Sequence, residues 1–188
     1  INTNQVAKGI RIYDKLIADY PNSSYTSQAL MRKGLQLYND GNLEASLSVF
    51  KQVAGKYAGT PQAVQAISSA RQVYIDLGTT NDYAVWVRGL DGVEVTDNEL
   101  DDTAYESAER PCIQGDMNGN AREMKKYLLQ FPNGKHALKA HFYLAQAQFS
   151  QNNKEESVAH YEYVTSMERS EFTEQALARL SEIHLGTR

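Results

Sequence analysis

The chain has 188 residues, 41% of them hydrophobic, and a formal net charge of −4 from 19 basic and 23 acidic side chains. That mixed, slightly acidic balance excludes a general nucleic-acid binder, which needs basic residues to displace counterions from phosphates, and it supplies no polybasic tether to anionic lipid. No apolar run approaches the ~18 residues of a membrane span, so direct membrane insertion is not expected, and the single Cys112 cannot close an internal disulfide. The sequence opens at Ile1 and reads as a piece of a longer protein, so that a targeting signal would lie outside it.

Taken in chain order, the pattern is helical throughout. Tyr13, Leu16 and Ile17 recur at helical spacing ahead of Tyr20-Pro21 and predict a helix over 3–19. A second helix over 24–40 ends in the turn NDGN, and Leu43, Leu47, Phe50 and Val53 then mark a third over 42–57. Pro61 opens a fourth over 61–78, followed by a short fifth over 80–90. Five more follow over 102–114, 117–130, 134–151, 154–167 and 171–186. Three of the four prolines sit where a helix starts or stops, while Pro111 falls inside the sixth helix, where it removes a hydrogen bond to Ser107 and predicts a kink around 107–111.

Two stretches between helices carry charge. DGVEVTDNELDDT, residues 91–103, holds Asp91, Glu94, Asp97, Glu99, Asp101 and Asp102 with no base among them. Such a run is a cation site or a patch for a basic partner in one reading. In the favoured one it is a solvated loop whose last acids, Asp101 and Asp102, support the start of the next helix through its dipole. DMNGN at 116–120 has the opening of a calcium loop, but Ala121 stands where that loop needs Gly and Tyr127 where it needs Glu, so an inter-helix turn is expected.

The helices repeat. DYPNSSYTSQAL at 19–30 returns as QFPNGKHALKAH at 130–141, with Tyr20 and Phe131 separated by 111 residues, three times 37. The same 37-residue step aligns Gly41, Gly78, Gly115 and Asn152, and Tyr13, Phe50, Val87, Met124 and Tyr161. It also aligns Leu16, Val53, Leu90, Tyr127 and Val164, and Ala29, Ala66, Thr103 and Ala140. YTSQAL at 25–30 reappears as FTEQAL at 172–177, one residue short of register. The expected fold is therefore all-α, about ten helices in successive pairs. Its layout is a half-repeat over 1–21, repeats over 22–58, 59–95, 96–132 and 133–169, and a final helix over 170–188, forming a single solenoid over 1–188.

These columns resemble the tetratricopeptide repeat (TPR). The best match is ALMRKGLQLYNDGNLEASLSVFKQVAGKYA at 29–58, where Ala29, Gly34, Gly41, Phe50 and Val53 occupy the family's small, small, turn, aromatic and aliphatic positions. Residues 104–132 match through Ala108, Gly115-Asp116 and the closing FP, and 140–164 through Ala140, Leu144, Ala145, Tyr161 and Val164. The resemblance implies a right-handed α-α superhelix. The second pair departs from the pattern, with Arg71 and Tyr83 where small residues belong. The 37-residue period exceeds the family's usual 34 through a longer link between pairs, similar to that of bacterial envelope TPR proteins. It implies a periplasmic or outer-membrane-associated protein.

The resemblance also implies a concave groove lined by the first helix of each pair. Its positions would be Gln28, Met31, Leu35, Tyr38 and Asn39, then Gln65, Ser68, Gln72, Ile75 and Asp76. In the next pairs they would be Asp102, Tyr105, Glu109 and Cys112, and then Lys139, Phe142, Gln146 and Phe149. Amides and aromatics replace the Lys and Arg of the TPRs that clamp a carboxylate terminus, and suit a peptide held by packing and side-chain hydrogen bonds.

No motif of chemistry stands out. The histidines at 136, 141, 160 and 184 lack metal-ligand spacing, and neither a phosphate loop nor a GxSxG elbow is present. Cys112 falls in the column of Tyr38, Ile75 and Phe149, which predicts core or groove packing rather than a nucleophile. The expectation is a non-enzymatic protein–protein interaction scaffold with no cofactor and no metal, binding a protein or peptide. The alternative is an architectural spacer or self-association module of a larger multi-repeat protein.

Overall fold

The computed structural model describes residues 3–21, 23 and 25–186. Among them the chain is all-α and divides into two compact units, residues 1–95 and 96–188. Unit 1 holds α1 (Thr3–Asp19), α2 (Thr26–Asn39), α3 (Leu43–Lys56), α4 (Pro61–Leu77) and α5 (Thr80–Arg88). Unit 2 holds α6 (Asp97–Ile113), α7 (Met117–Gln130), α8 (Ala137–Ser150), α9 (Lys154–Ser166) and α10 (Thr173–Gly186).

Within each unit every helix packs on its neighbours in sequence, and in unit 1 α2 also reaches α4. No single helix pair can bury its own apolar stripe, so each core is a stack of adjacent interfaces. The 37-residue columns are where the core lies. Phe50, Val87, Met124 and Tyr161 are buried, as are Val53, Tyr127 and Val164, and Ala29, Ala66, Thr103 and Ala140. The turn column holds backbone that only Gly or Asn tolerates readily: Gly41, Gly78, Gly115 and Asn152 have φ of 78°, 69°, 74° and 64°.

The irregular second pair has a physical cause. Tyr83 blocks the close approach that a small residue allows in the other pairs, and it packs instead with Tyr74 and Trp86 at ring-centroid distances of 5.8 and 6.2 Å. The pair is held by an aromatic cluster, and α5 stops after nine residues.

The main correction concerns the acidic stretch. The loop expected over 91–103 ends at Thr96, and α6 begins at Asp97, ahead of the expected 102. Thr96 accepts a hydrogen bond from the Glu99 N–H at 3.2 Å, while the Thr96 N–H donates to Glu99 Oε2 at 2.7 Å, a capping box. Asp101 is not solvated but 3% exposed, and it accepts from the Lys135 N–H at 2.6 Å and from the Tyr127 hydroxyl. In the DMNGN segment the helix expected over 117–130 is the one found, so only Asp116 stays outside it and the turn expected over 116–120 is shorter. Asp116 is the N-cap of α7, accepting from the Gly119 N–H at 2.9 Å, and Met117–Asn120 form the first helical turn.

Candidate interaction surface

In unit 1 the helical period brings the exposed stripe of α2 beside that of α4. Gln28, Met31, Arg32 and Leu35 of α2 meet Gln62 and Gln65 of α4 around a recess of about 430 Å³. Leu35, Tyr38, Ser68, Ser69, Arg71 and Gln72, with the Phe50 ring behind them, line a second recess of about 280 Å³. Leu35 belongs to both and is 37% exposed, so the two recesses adjoin along the α2–α4 seam.

The seam is braced at one end. The Tyr38 hydroxyl donates to Asp76 Oδ2 at 2.6 Å, and the Gln72 amide donates to Asp76 Oδ1 at 2.9 Å. Tyr38 is therefore half-buried with its hydroxyl committed, while Gln28, Asn39, Gln65 and Ser68 stay exposed. Met31 and Ile75, expected to face a partner, are core residues at 3% and 2% exposure, and Met31 forms only the floor of the larger recess. Four lining residues besides the Phe50 ring escaped the sequence reading: Arg32, Gln62, Ser69 and Arg71. Arg32 is exposed between the chosen Met31 and Leu35, Gln62 lies half-buried one turn ahead of Gln65, Ser69 follows Ser68, and Arg71 was taken only as a packing irregularity.

On the first-helix face of unit 2 the expected residues engage one another. Lys139 of α8 pairs with Glu109 of α6 at 2.7 Å, and its ammonium lies 5.3 Å from the Tyr105 ring and 5.7 Å from that of Tyr143. The Tyr105 hydroxyl donates to Glu109 at 3.1 Å, and His136 stacks on the Tyr105 ring with centroids 4.3 Å apart. Asp102 takes His136 at 2.6 Å and Lys135 at 3.0 Å. Phe149 lies half-buried under the Arg179 guanidinium, 4.6 Å from its ring, and Gln146 is half-buried on the same helix. Tyr105 and Phe142 are core residues at 4% and 3% exposure, which removes them from the expected partner-facing set. Tyr143, one position on from Phe142, is the aromatic that reaches the Lys139 cluster.

These contacts set the electrostatics. The hydrogen bond to Glu109 raises the Lys139 ammonium further above its ordinary range, and the hydrogen bonds from His136 and Lys135 hold Asp102 below the usual carboxylate range. Burial, then Glu109, drives the Tyr105 phenol up. Burial and the Glu109 charge also push the Cys112 thiol up, opposite to the depression that makes a cysteine nucleophilic. Among the described residues, no three His, Cys, Asp or Glu side chains converge as a metal site, and no helix is long and apolar enough to cross a membrane.

No curated protein matches the chain in sequence. Among solved structures, a tetratricopeptide repeat protein from Parabacteroides merdae is similar at 12% identity and a TM-score of 0.44, over 98% of this chain and 68% of that one. A Podosopora anserina protein with nearly identical TPR-like repeats is similar at 10% identity and a TM-score of 0.40, over 99% of this chain and 90% of that one. A second structure of those Podosopora anserina repeats is similar at 11% identity and a TM-score of 0.40, over 87% of each chain. In sequence, residues 1–23 match the tetratricopeptide repeat family model, the repeat that the 37-residue columns resemble.

Proposed function

We propose that the protein is a non-catalytic interaction scaffold, and that unit 1 binds a peptide or protein segment along the α2–α4 seam. The observation that carries this reading is the pair of adjoining recesses sharing Leu35, with exposed amides on both walls. A bound segment would bury apolar side chains against Leu35 and the Met31 floor, while Gln28, Gln62, Gln65 and Gln72 offer both donors and acceptors to its backbone. The seam is carried on packed helices, so binding has to order exposed side chains such as Gln28 and Gln65 but not the backbone that bears them.

We further propose a bacterial envelope protein, periplasmic or outer-membrane-associated. Support for this comes from the lengthened aromatic-Pro-Asn link, which resembles that of envelope repeat proteins. A second reading, an architectural spacer, draws on unit 2, where Lys139–Glu109 and Arg179–Phe149 already occupy the first-helix face.

The test is affinity capture with the purified chain as bait against separate envelope and soluble extracts, beside a Leu35→Glu, Gln65→Ala variant. Both substituted positions are exposed, so the helical circular dichroism should not change. The scaffold reading expects a partner held by the wild type and released by the variant. A partner retained by the variant removes the seam as the binding surface, and capture only from the soluble extract removes the envelope assignment.

A further inference from the structure

The four histidines all lie in unit 2, and two of them meet between helices. His141 of α8 and His160 of α9 place their Nδ1 atoms 2.8 Å apart, with ring centroids at 4.9 Å. That centroid distance is close to the most the rings could reach with their nitrogens in contact. The two nitrogens therefore point at each other, as in a hydrogen bond, and do not converge sideways on a common metal position. Tyr163 stacks on His141 at 3.8 Å and covers that ring. Behind the pair, Phe142, Ala145, Tyr161 and Val164 form the core on which α10 rests.

The chemistry of the contact depends on charge. In the neutral pair one Nδ1–H donates to the lone pair of the other ring. One added proton places a cation in a half-buried site, and a second sets two N–H groups against each other and ends the bond. Lys125 of α7 opposes protonation of His160, and Glu156 of α9 favours it less strongly. Burial is the largest effect on both imidazoles. It lowers His141 to about 4, and it lowers His160 below the usual histidine range.

We propose that His141 and His160 form an acid-opened clasp, which holds α9 against α8 while both rings are neutral and loosens the C-terminal half of unit 2 when they are protonated. Because folding depresses these groups below their ordinary value of 6.5, the stabilisation is complete above that pH and declines as the pH falls toward 4. Unit 1 contains no histidine and is the internal control.

The test is residue-resolved amide exchange on the full chain between about pH 6.5 and pH 5, a window above the ordinary midpoints of Asp and Glu, with a parallel NMR titration of the imidazoles. The clasp expects protection across α9 to fall about tenfold or more, corrected for intrinsic exchange, while α2 and α3 keep theirs. His160→Gln leaves His141 a neutral hydrogen-bonding partner and should lessen this fall by the part that His160 contributes, while the buried His141 keeps its own. His141 and His160 titrating in the ordinary range would overturn the proposal. So would an equal loss in unit 1, or an unchanged fall in the variant. Should the variant fold poorly, the wild-type titration and exchange profile decide the matter by themselves.

Discussion

A Cβ added at Gly34 would stand 2.5 Å from Cε1 and 2.9 Å from Cδ1 of Phe50, so the α2–α3 interface is shaped around a missing side chain. Phe50 is fully buried, so any shift of its ring disturbs the core packed around it. Ala at position 34 would raise helix propensity by up to about 1 kcal/mol. The overlap outweighs that gain, and Gly34→Ala should destabilise by about 1–3 kcal/mol. Phe50→Ala should cost about 3–5 kcal/mol. In urea melts the double variant should cost clearly less than the two single losses added, since the clash disappears with the ring. Strict additivity would mean that the two residues do not constrain each other.

Asp101 ties α6 to the link that precedes α8. Asp101→Ala leaves the Lys135 N–H and the Tyr127 hydroxyl without their acceptor in a buried site, at a cost of about 2–4 kcal/mol. Gly134 belongs to the same clasp, since a Cβ there would lie 2.6 Å from the Tyr127 hydroxyl and 2.7 Å from Asp101 Oδ2. Gly134→Ala should therefore also lower the denaturation midpoint. A change below about 0.5 kcal/mol in both would show the clasp to be dispensable.

The start of α6 rests on its capping box. Thr96→Ala removes the side-chain acceptor of the Glu99 N–H and should cost about 1 kcal/mol. Amide exchange should rise in residues 97–100 and remain unchanged in α7. A uniform rise over the whole of unit 2 would mean that the cap governs global opening instead.

Alkaline titration should separate the buried tyrosines from the rest. Burial raises Tyr105 and Tyr127 from an ordinary 10.0 and pushes Tyr161 up to about 12. A raised group contributes its stability in full below the unfolded value, and that contribution is lost as pH climbs above 10. Tyrosinate absorbance should therefore show a late step that coincides with loss of helical signal. All twelve tyrosines ionising together near pH 10, with the helices intact, would count against this packing.

The sequence by itself determined the helices and their repeat. A helix boundary needs only local information, such as Pro61 at a first turn or the left-handed Gly41, Gly78 and Gly115, and a buried column needs only residues that recur in step. Even the start of α6 was written locally, in Thr96 and Glu99, although the surrounding acids masked it.

The exposed part of the candidate surface was readable for the same reason: Gln28, Leu35 and Gln65 follow from a helical stripe. Only the tertiary structure decided which members of that stripe remain open. Met31, Ile75, Tyr105 and Phe142 share the spacing of their exposed neighbours, yet all four are buried by what packs against them. The Lys139–Glu109 pair, the Asp101 clasp and the His141–His160 contact join residues 30, 26 and 19 positions apart. A helical period orders residues along one element but carries no information about which side chain of a neighbouring helix will meet them. That depends on how closely two helices approach, and here the approach is set by contacts such as Gly34 against Phe50.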